Sequence, residues 1–286
     1  MTDVPGCCFT GRMQTDLVLA PLGADLPELL DAARAADTGG FDTVWTYDHF
    51  SGLVDRKPWS RDPFVTLGAI AATTSRVNLG LLVANPANRH PVQLACAINS
   101  LQSLAPGRIR LGIGSGSSPK SQWSAEHAAL GRPLPGAAVR RAMLTETVAV
   151  LRAVWRGEAF DGEHFSAAAA MAVTDGAELP PIVIGGRTAE TIEYACDHAD
   201  GMNLLAADLV ADGQLDDRVA EIRSRAPEGF EVSVFAPLEL DHPLGGDPEH
   251  FATLGIDRRT LWVQSPIDAG QIAAIAANLA TNLATA

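Results

Sequence analysis

Eight short apolar runs, alternating with segments of helical periodicity, constrain the fold of this chain more than any other feature. The runs are residues 17–20, 43–47, 77–85, 109–114, 181–185, 202–205, 232–240 and 260–263. Between them, apolar residues recur with a helical period over 26–38, 63–74, 91–104, 137–155, 188–198 and 215–225. Near-continuous apolar runs such as 77–83 suit a sheet buried on both faces, and helical crossovers are what parallel pairing requires. Eight strands with eight connections favour an α/β (β/α)8 TIM barrel over an open doubly wound sheet, because no dinucleotide fingerprint with its later acidic residue is present. One domain spanning 1–286 is expected, since such barrels reach this length as one unit.

Local punctuation agrees with these boundaries. Pro63 follows Asp62, Pro91 follows His90, and Gly39-Gly40 closes an amphipathic segment, which are ordinary helix starts and stops. Two long connections, 115–135 and 157–180, are rich in Ser, Gly, Pro and Ala and read as surface excursions or active-site walls.

Charge and composition exclude several function classes. A net charge of −13 repels phosphate backbones and anionic lipid, and the basic residues form no long cluster, so nucleic acid is not an expected partner. Apolar stretches such as 64–72 are shorter than the roughly 20 residues needed to cross a bilayer, so no membrane partner is expected either. Residues 1–11 lack the apolar core of a secretory signal, and a cytoplasmic location is expected. Cys7 and Cys8 are adjacent near the amino terminus; Cys96 and Cys196 lie in helical patterns, where Cys commonly acts as a small hydrophobe. The spacing suggests no metal site and no disulfide framework, and no nucleophile elbow or P-loop is found.

Four segments could carry chemistry. The second run ends on Asp48 and His49; a strand's carboxyl end faces ligand in α/β folds, and His exchanges protons near neutrality. Asp48 could equally cap the next segment while His49 bonds backbone. The third run ends at Leu82, Val83 and Asn85-Pro86, followed by Arg89-His90-Pro91, which is also how a well-made strand-to-helix turn reads. The fourth ends in Gly112, Gly114, Ser115 and Gly116, where glycines could admit a flat ring or merely relieve crowding. Gly185, Gly186, Arg187 and Thr188 precede a helix and suit an anion, although Thr188 could be a plain N-cap. His127, His164, His198, His242 and His250 lie beside loop or helix signals, read as solvated or capping groups, and are assigned no role.

The segments 40–50, 62–64 and 73–77, with Leu79-Gly80, Arg89-His90-Pro91, Gly107-Arg108, 111–114, 184–186 and 199–203, closely resemble the bacterial luciferase-like family, particularly its branch that uses coenzyme F420. The resemblance is good over 41–203 and looser elsewhere. It implies a (β/α)8 barrel binding F420, or alternatively FMN, at the carboxyl ends of the strands. It further implies a non-prolyl cis peptide at Leu82-Val83, His49 beside the deazaflavin as the catalytic residue, and Gly185 to Thr188 as the phosphate-binding turn. Cofactor contacts carried over in this way are Asp48, Leu82, Val83, Asn85, Gly114, Ser115, Gly116, Gly185, Gly186, Arg187 and Thr188. A homodimer is implied too.

Three departures weaken any transfer of substrate class. Ser117 stands where sugar-phosphate dehydrogenases of the family have glutamate, Gln102 replaces an acidic residue before the Gly-Arg turn, and the connection 241–259 is short. The expected activity is therefore an F420-dependent oxidoreductase moving hydride to or from an unidentified small molecule. The alternatives are an FMN-dependent luciferase-like monooxygenase and a non-catalytic flavin-binding barrel.

Overall fold

The computed structural model describes residues 13–131, 133–169, 173–174, 176–205, 213–237, 248–263 and 266–284. Cys7, Cys8, His242 and residues 238–240 of the seventh run lie outside them.

In chain order the elements are β1 (Gln14–Leu19), α1 (Leu26–Thr38), β2 (Thr43–Thr46), α2 (Pro63–Thr73), β3 (Asn78–Ala84), α3 (Pro91–Leu104), β4 (Ile109–Gly114) and α4 (Ala137–Trp155). A two-stranded hairpin, β5 (Phe160–Asp161) and β6 (Ser166–Ala167), follows. The chain continues through β7 (Ile182–Gly185), α5 (Ala189–His198), β8 (Gly201–Leu205), α6 (Leu215–Arg225), β9 (Glu231–Pro237), α7 (Pro248–Thr253), β10 (Arg258–Val263) and α8 (Ala269–Ala284). Eight of the strands close a barrel in the order β1-β10-β9-β8-β7-β4-β3-β2, every pair parallel. The eight expected runs are the eight barrel strands.

Alternation along the strands separates two cores. Leu17, Leu19, Val44, Leu261 and Val263 point outward into the layer shared with the helices. Val18, Trp45 and Leu82 point inward, and Tyr47, Val83, Phe235 and Trp262 pack on them from the mouth side. Below this inner cluster lies an ion network. Buried Arg258 contacts Asp16 at 2.5 Å and Glu231 at 3.2 Å, Arg110 reaches Glu231 at 2.5 Å, and Trp45 Nε1 donates to Asp16 at 2.8 Å. Burial pushes the Asp16 carboxyl up to about 6 despite the opposing pull of Arg258.

That network explains where strand boundaries were misjudged. The eighth run was expected to begin at residue 260, whereas β10 starts at Arg258, because two arginines argue against a strand unless partners are supplied from elsewhere. The helices α7 and α8 are not among the segments expected from the sequence; the first is six residues, and the second is an Ala-rich segment whose Ile272, Ile275 and Ala276 are buried, Ala276 against Gly39 at the end of α1. The connection 157–180 follows a helix and precedes a strand, but its hairpin lies back along α4, where Glu146 accepts the Glu163, His164 and Phe165 amides, and Phe165 meets the ring of His90, the N-cap of α3, edge-on at 5.4 Å. Cys96, expected in an apolar setting, is exposed, while Cys196 is buried.

Candidate functional site

The carboxyl end of β2 delivers Tyr47, Asp48 and His49 to the barrel mouth in three consecutive positions. Trp45 anchors that strand from within: its ring lies so close to Gly80 of β3 that a Cβ there would come within 2.6 Å of it.

His49 is 17% exposed and its Nδ1 lies 2.9 Å from Glu126 Oε1. Glu126 comes from a short 3-10 segment, Gln122–Leu130, inside the connection that follows β4. Its side chain is fully buried; Oε2 accepts the Phe50 amide at 2.9 Å, and Oε1 also accepts from Asn88 Nδ2 at 3.1 Å. Burial alone would raise the carboxyl's pKa, but the His49 hydrogen bond and charge, with the Phe50 and Asn88 donors, hold it below the usual range. A carboxylate so placed keeps a proton on His49 Nδ1 and leaves Nε2 as the exchanging nitrogen. Among the described residues, Nε2 has no protein partner.

Aromatic rings surround this pair. Trp123 stacks on His49 with centroids 5.4 Å apart and planes at 28°, and Tyr47 meets both edge-on at 6.1 and 6.4 Å. Tyr47 also contacts Phe235 of β9, which contacts Trp262 of β10. Burial, with Asp55 nearby, pushes the Tyr47 phenol well above its ordinary value, so it stays neutral. In the floor, the buried Trp262 Nε1 has no hydrogen-bond partner among the described residues.

Asp48 does not face the mouth. It is buried, and its carboxylate accepts the Asn85 amide at 3.0 Å and Arg89 Nε at 2.7 Å, while Arg89 continues to Asp62, the N-cap of α2. Burial raises the Asp48 pKa, with Arg89 opposing. Asp48 is thus a bracket between β2, β3 and α2. The Asn85 side chain is likewise engaged in its own turn, accepting the Ala87 amide at 3.0 Å. His90 caps α3, and His127, read from the sequence as a solvated or capping group, is buried.

The Leu82-Val83 peptide is cis, and the pairing of β3 with β4 shifts register between Leu81 and Ala84. A Cβ on Gly114 or Gly185 would come within 2.5 or 2.7 Å of Val83. These two glycines therefore accommodate the Val83 side chain, which for Gly114 is the relief of crowding that its place on the fourth strand allowed. Gly116 has φ +73° and a Cβ there would meet Asn85, while the Ser115 carbonyl accepts from Arg140 Nε at 3.1 Å.

At the start of α5, Thr188 is the N-cap, accepting from the Thr191 amide, and Gly186 donates to the Asn203 carbonyl at 3.1 Å. Arg187 is exposed. The Glu190 carboxylate accepts from its own amide and from the Thr188 hydroxyl, which lowers its pKa. An acidic side chain therefore occupies the end of the helix that anions favour.

The family model described as luciferase-like monooxygenase matches residues 6–243. The chain belongs to the luciferase-like monooxygenase family. Among curated relatives, an F420-dependent glucose-6-phosphate dehydrogenase of Nakamurella multipartita is 36% identical over 183 residues, covering 61% of this chain and 50% of that protein. An F420-dependent hydroxymycolic acid dehydrogenase of Mycobacterium tuberculosis is 30% identical over 233 residues, covering 80% and 60%. The chain thus spans about half the length of the curated relatives it matches. Among solved structures, an F420-dependent secondary alcohol dehydrogenase in complex with an F420-acetone adduct aligns with a TM-score of 0.74 at 19% identity, covering 93% of this chain and 98% of that one. A monooxygenase from Streptomyces bottropensis has the same TM-score at 20% identity, covering 95% and 100%. At such identities these two establish the fold.

Within this luciferase-like barrel, sequence reasoning missed Glu126, Trp123 and Asn88. One signal was available: Glu126 is the only acidic residue between 115 and 135. Among the described residues no cluster suits a metal ion, and no helix is long and apolar enough to cross a membrane.

Proposed function

We propose that this chain is an oxidoreductase that uses coenzyme F420 and a small organic substrate. The observation that carries the reading is His49, held through Nδ1 by buried Glu126 with Nε2 unpartnered at the mouth of a luciferase-like barrel. The F420-dependent names of its relatives support the same choice.

The residues present fit such a group. An apolar floor of Leu82, Val83 and Trp262, with the orphaned Trp262 Nε1 donor, suits a flat heterocycle rich in acceptors. The turn Gly185, Gly186, Arg187 and Thr188 at the α5 amino terminus suits its phosphate, once the exposed Glu190 carboxylate swings aside. When bound, F420 supplies hydride donation or acceptance at its ring. His49 Nε2 gives or takes the proton that accompanies hydride at the substrate. Glu126 fixes the tautomer and stabilises the imidazolium when His49 carries both protons. Trp123 and Tyr47 hold the imidazole plane and exclude water from it. The homodimer implied by the family resemblance and the cytoplasmic location expected from residues 1–11 belong to this proposal.

Titrating the purified protein separately with F420 and FMN, while following ring absorbance, tests the reading. Binding of F420 in preference to FMN is expected. Tight binding of FMN alone would overturn it in favour of a flavin monooxygenase.

A further inference from the structure

Asn88 joins the turn after β3 to the segment that carries Glu126. Its backbone amide closes that turn on the Asn85 carbonyl at 2.9 Å, and its side chain reaches two acceptors at once. Nδ2 donates to the Asp48 carbonyl at 2.8 Å and to Glu126 Oε1 at 3.1 Å. A peptide carbonyl can only accept, so the atom facing it is the amide nitrogen and the orientation of the Asn88 side chain is fixed. The same logic holds one step back: the Ala87 amide donates to Asn85 Oδ1 at 3.0 Å, which leaves Asn85 Nδ2 to donate to Asn88 Oδ1 at 3.4 Å. Donors therefore run one way, from the turn through both asparagines, and end on Glu126 Oε1, the oxygen that His49 Nδ1 also binds. The Asn88 dipole stabilises the Glu126 anion and points its positive end at the oxygen that stabilises positive charge on the imidazole, so it makes that oxygen a weaker base toward the ring. The other charged groups near the pair are placed differently. The Asp48 carboxylate feels His49 but is bonded to Arg89 and the Asn85 amide. Asp55, on the turn Gly52–Asp55 that packs against residues 122–130, acts on Tyr47, while His127 is buried and Arg56 and Lys120 are exposed.

Resting on the reading above for its catalytic consequence, we propose that Asn88 is a positioning residue that acts through Glu126: it keeps the shared oxygen an acceptor, holds the Nδ1 proton on His49, and makes protonated His49 a readier donor from Nε2. When His49 gives its proton, the Nε2–H bond breaks, its electron pair stays on the ring, and the imidazolium becomes the neutral imidazole with Nδ1 still protonated. The reverse step restores the imidazolium. No proton passes to Glu126 or Asn88 in either direction, so the pair acts as a fixed field on the ring and not as a relay.

The sign of a pH shift tests this. Carbon–proton NMR of the histidine rings in the full chain, without cofactor, follows the titration of His49, whose signal is assigned by its loss in His49→Gln. Asn88→Leu removes the donor and keeps the bulk, and its His49 titration is expected to move upward by about 0.5–1 pH unit, because a positive dipole beside the ring has gone. Asn88→Ala, which removes the donor without filling the space, should move it the same way and covers the case in which Leu does not pack. Glu126→Gln should move it downward. If Asn88 merely held the loop in place, its loss would release Glu126 and the shift would follow Glu126→Gln; a downward shift, or none, in the Asn88 variants would overturn the proposal. In the F420-loaded protein, Asn88→Leu should lower kcat about 3- to 10-fold with KM and F420 affinity within twofold, and unchanged kcat would overturn the catalytic part. The NMR titration needs no cofactor, so a failure to bind F420 would sink the reading above and leave the Asn88 arrangement to be decided by the sign of the shift.

Discussion

His49 is useful as a proton carrier only while one of its nitrogens is committed elsewhere, and Glu126 makes that commitment. The contact is a charge-assisted hydrogen bond from a fully buried carboxylate that also binds the Phe50 amide and Asn88. His49→Ala is expected to lower kcat by about 10²- to 10⁴-fold, the usual worth of general acid–base catalysis, with F420 affinity preserved. Glu126→Gln, which keeps an acceptor and removes the charge, should lower kcat less and should move the pH profile of kcat/KM, a readout that simple loosening of the loop would not shift. The Glu126 carboxyl is held below its ordinary value, so its ionisation adds stability that is present above about pH 4.5 and lost as pH falls through its lower folded value. Thermal melts of wild type and Glu126→Gln should therefore converge as pH drops from 6 toward 3; a constant difference would contradict this assignment. His49 was legible in the sequence because a strand leads directly into it. Glu126 was not, because its partner lies 77 residues away and only the closed loop brings them together.

At the scale of elements, the sequence shows most clearly where local chemistry decides. The expected bounds of α1, α3, α4 and α6 coincide with the observed ones, since the apolar period of all four and the first-turn Pro of α1 and α3 are local signals. The start of α5 was ambiguous for an equally physical reason: an anion site and a capped turn use the same residues. The structure uses Thr188 as the cap and places the Glu190 carboxylate on its own amide in the first turn of the helix. Replacing Glu190 with Ala removes that competitor, and F420 affinity, read by ring absorbance, is expected to rise about two- to fivefold. An unchanged affinity would mean that the phosphate binds elsewhere. A second junction works by carboxylate capture: Asp37, at the end of α1, accepts the amides of Ser75, Arg76 and Val77 ahead of β3. Burial opposes its ionisation, but those three donors prevail and lower its pKa. Its contribution is therefore present above about pH 3.8 and lost below, and Asp37→Ala, which strands the buried Val77 amide, should cost about 2 kcal/mol at pH 7 in urea unfolding and less at pH 3.

Across the whole molecule, the barrel interior is ordered from ions to rings to an open mouth, and the ionic layer behaves oppositely to the peripheral carboxylates. Asp16, with its pKa raised to about 6 by burial, is easier to protonate folded than unfolded. The stability linked to its protonated form is full below about pH 3.8 and is lost as pH rises through about 6. Arg258 and Trp45 Nε1 both point at it, so the pair fixes β1, β2 and β10 at one level without the ion pair itself being a large net stabiliser. The expected consequence is strong non-additivity. Asp16→Leu leaves Arg258 buried with only the more distant Glu231 as a charged partner, and Arg258→Met leaves Asp16 without its counter-ion, while Glu231 keeps Arg110. Each single change should cost about 3–5 kcal/mol at pH 7, as removal of one buried partner does. The double variant should cost less than either, and should lose the part of the pH dependence between about 4 and 6 that comes from Asp16. Urea unfolding of all four proteins at pH 4 and pH 7 measures both effects, and simple addition of the two single costs would show that the inner charges act independently rather than as one layer beneath the floor of the site.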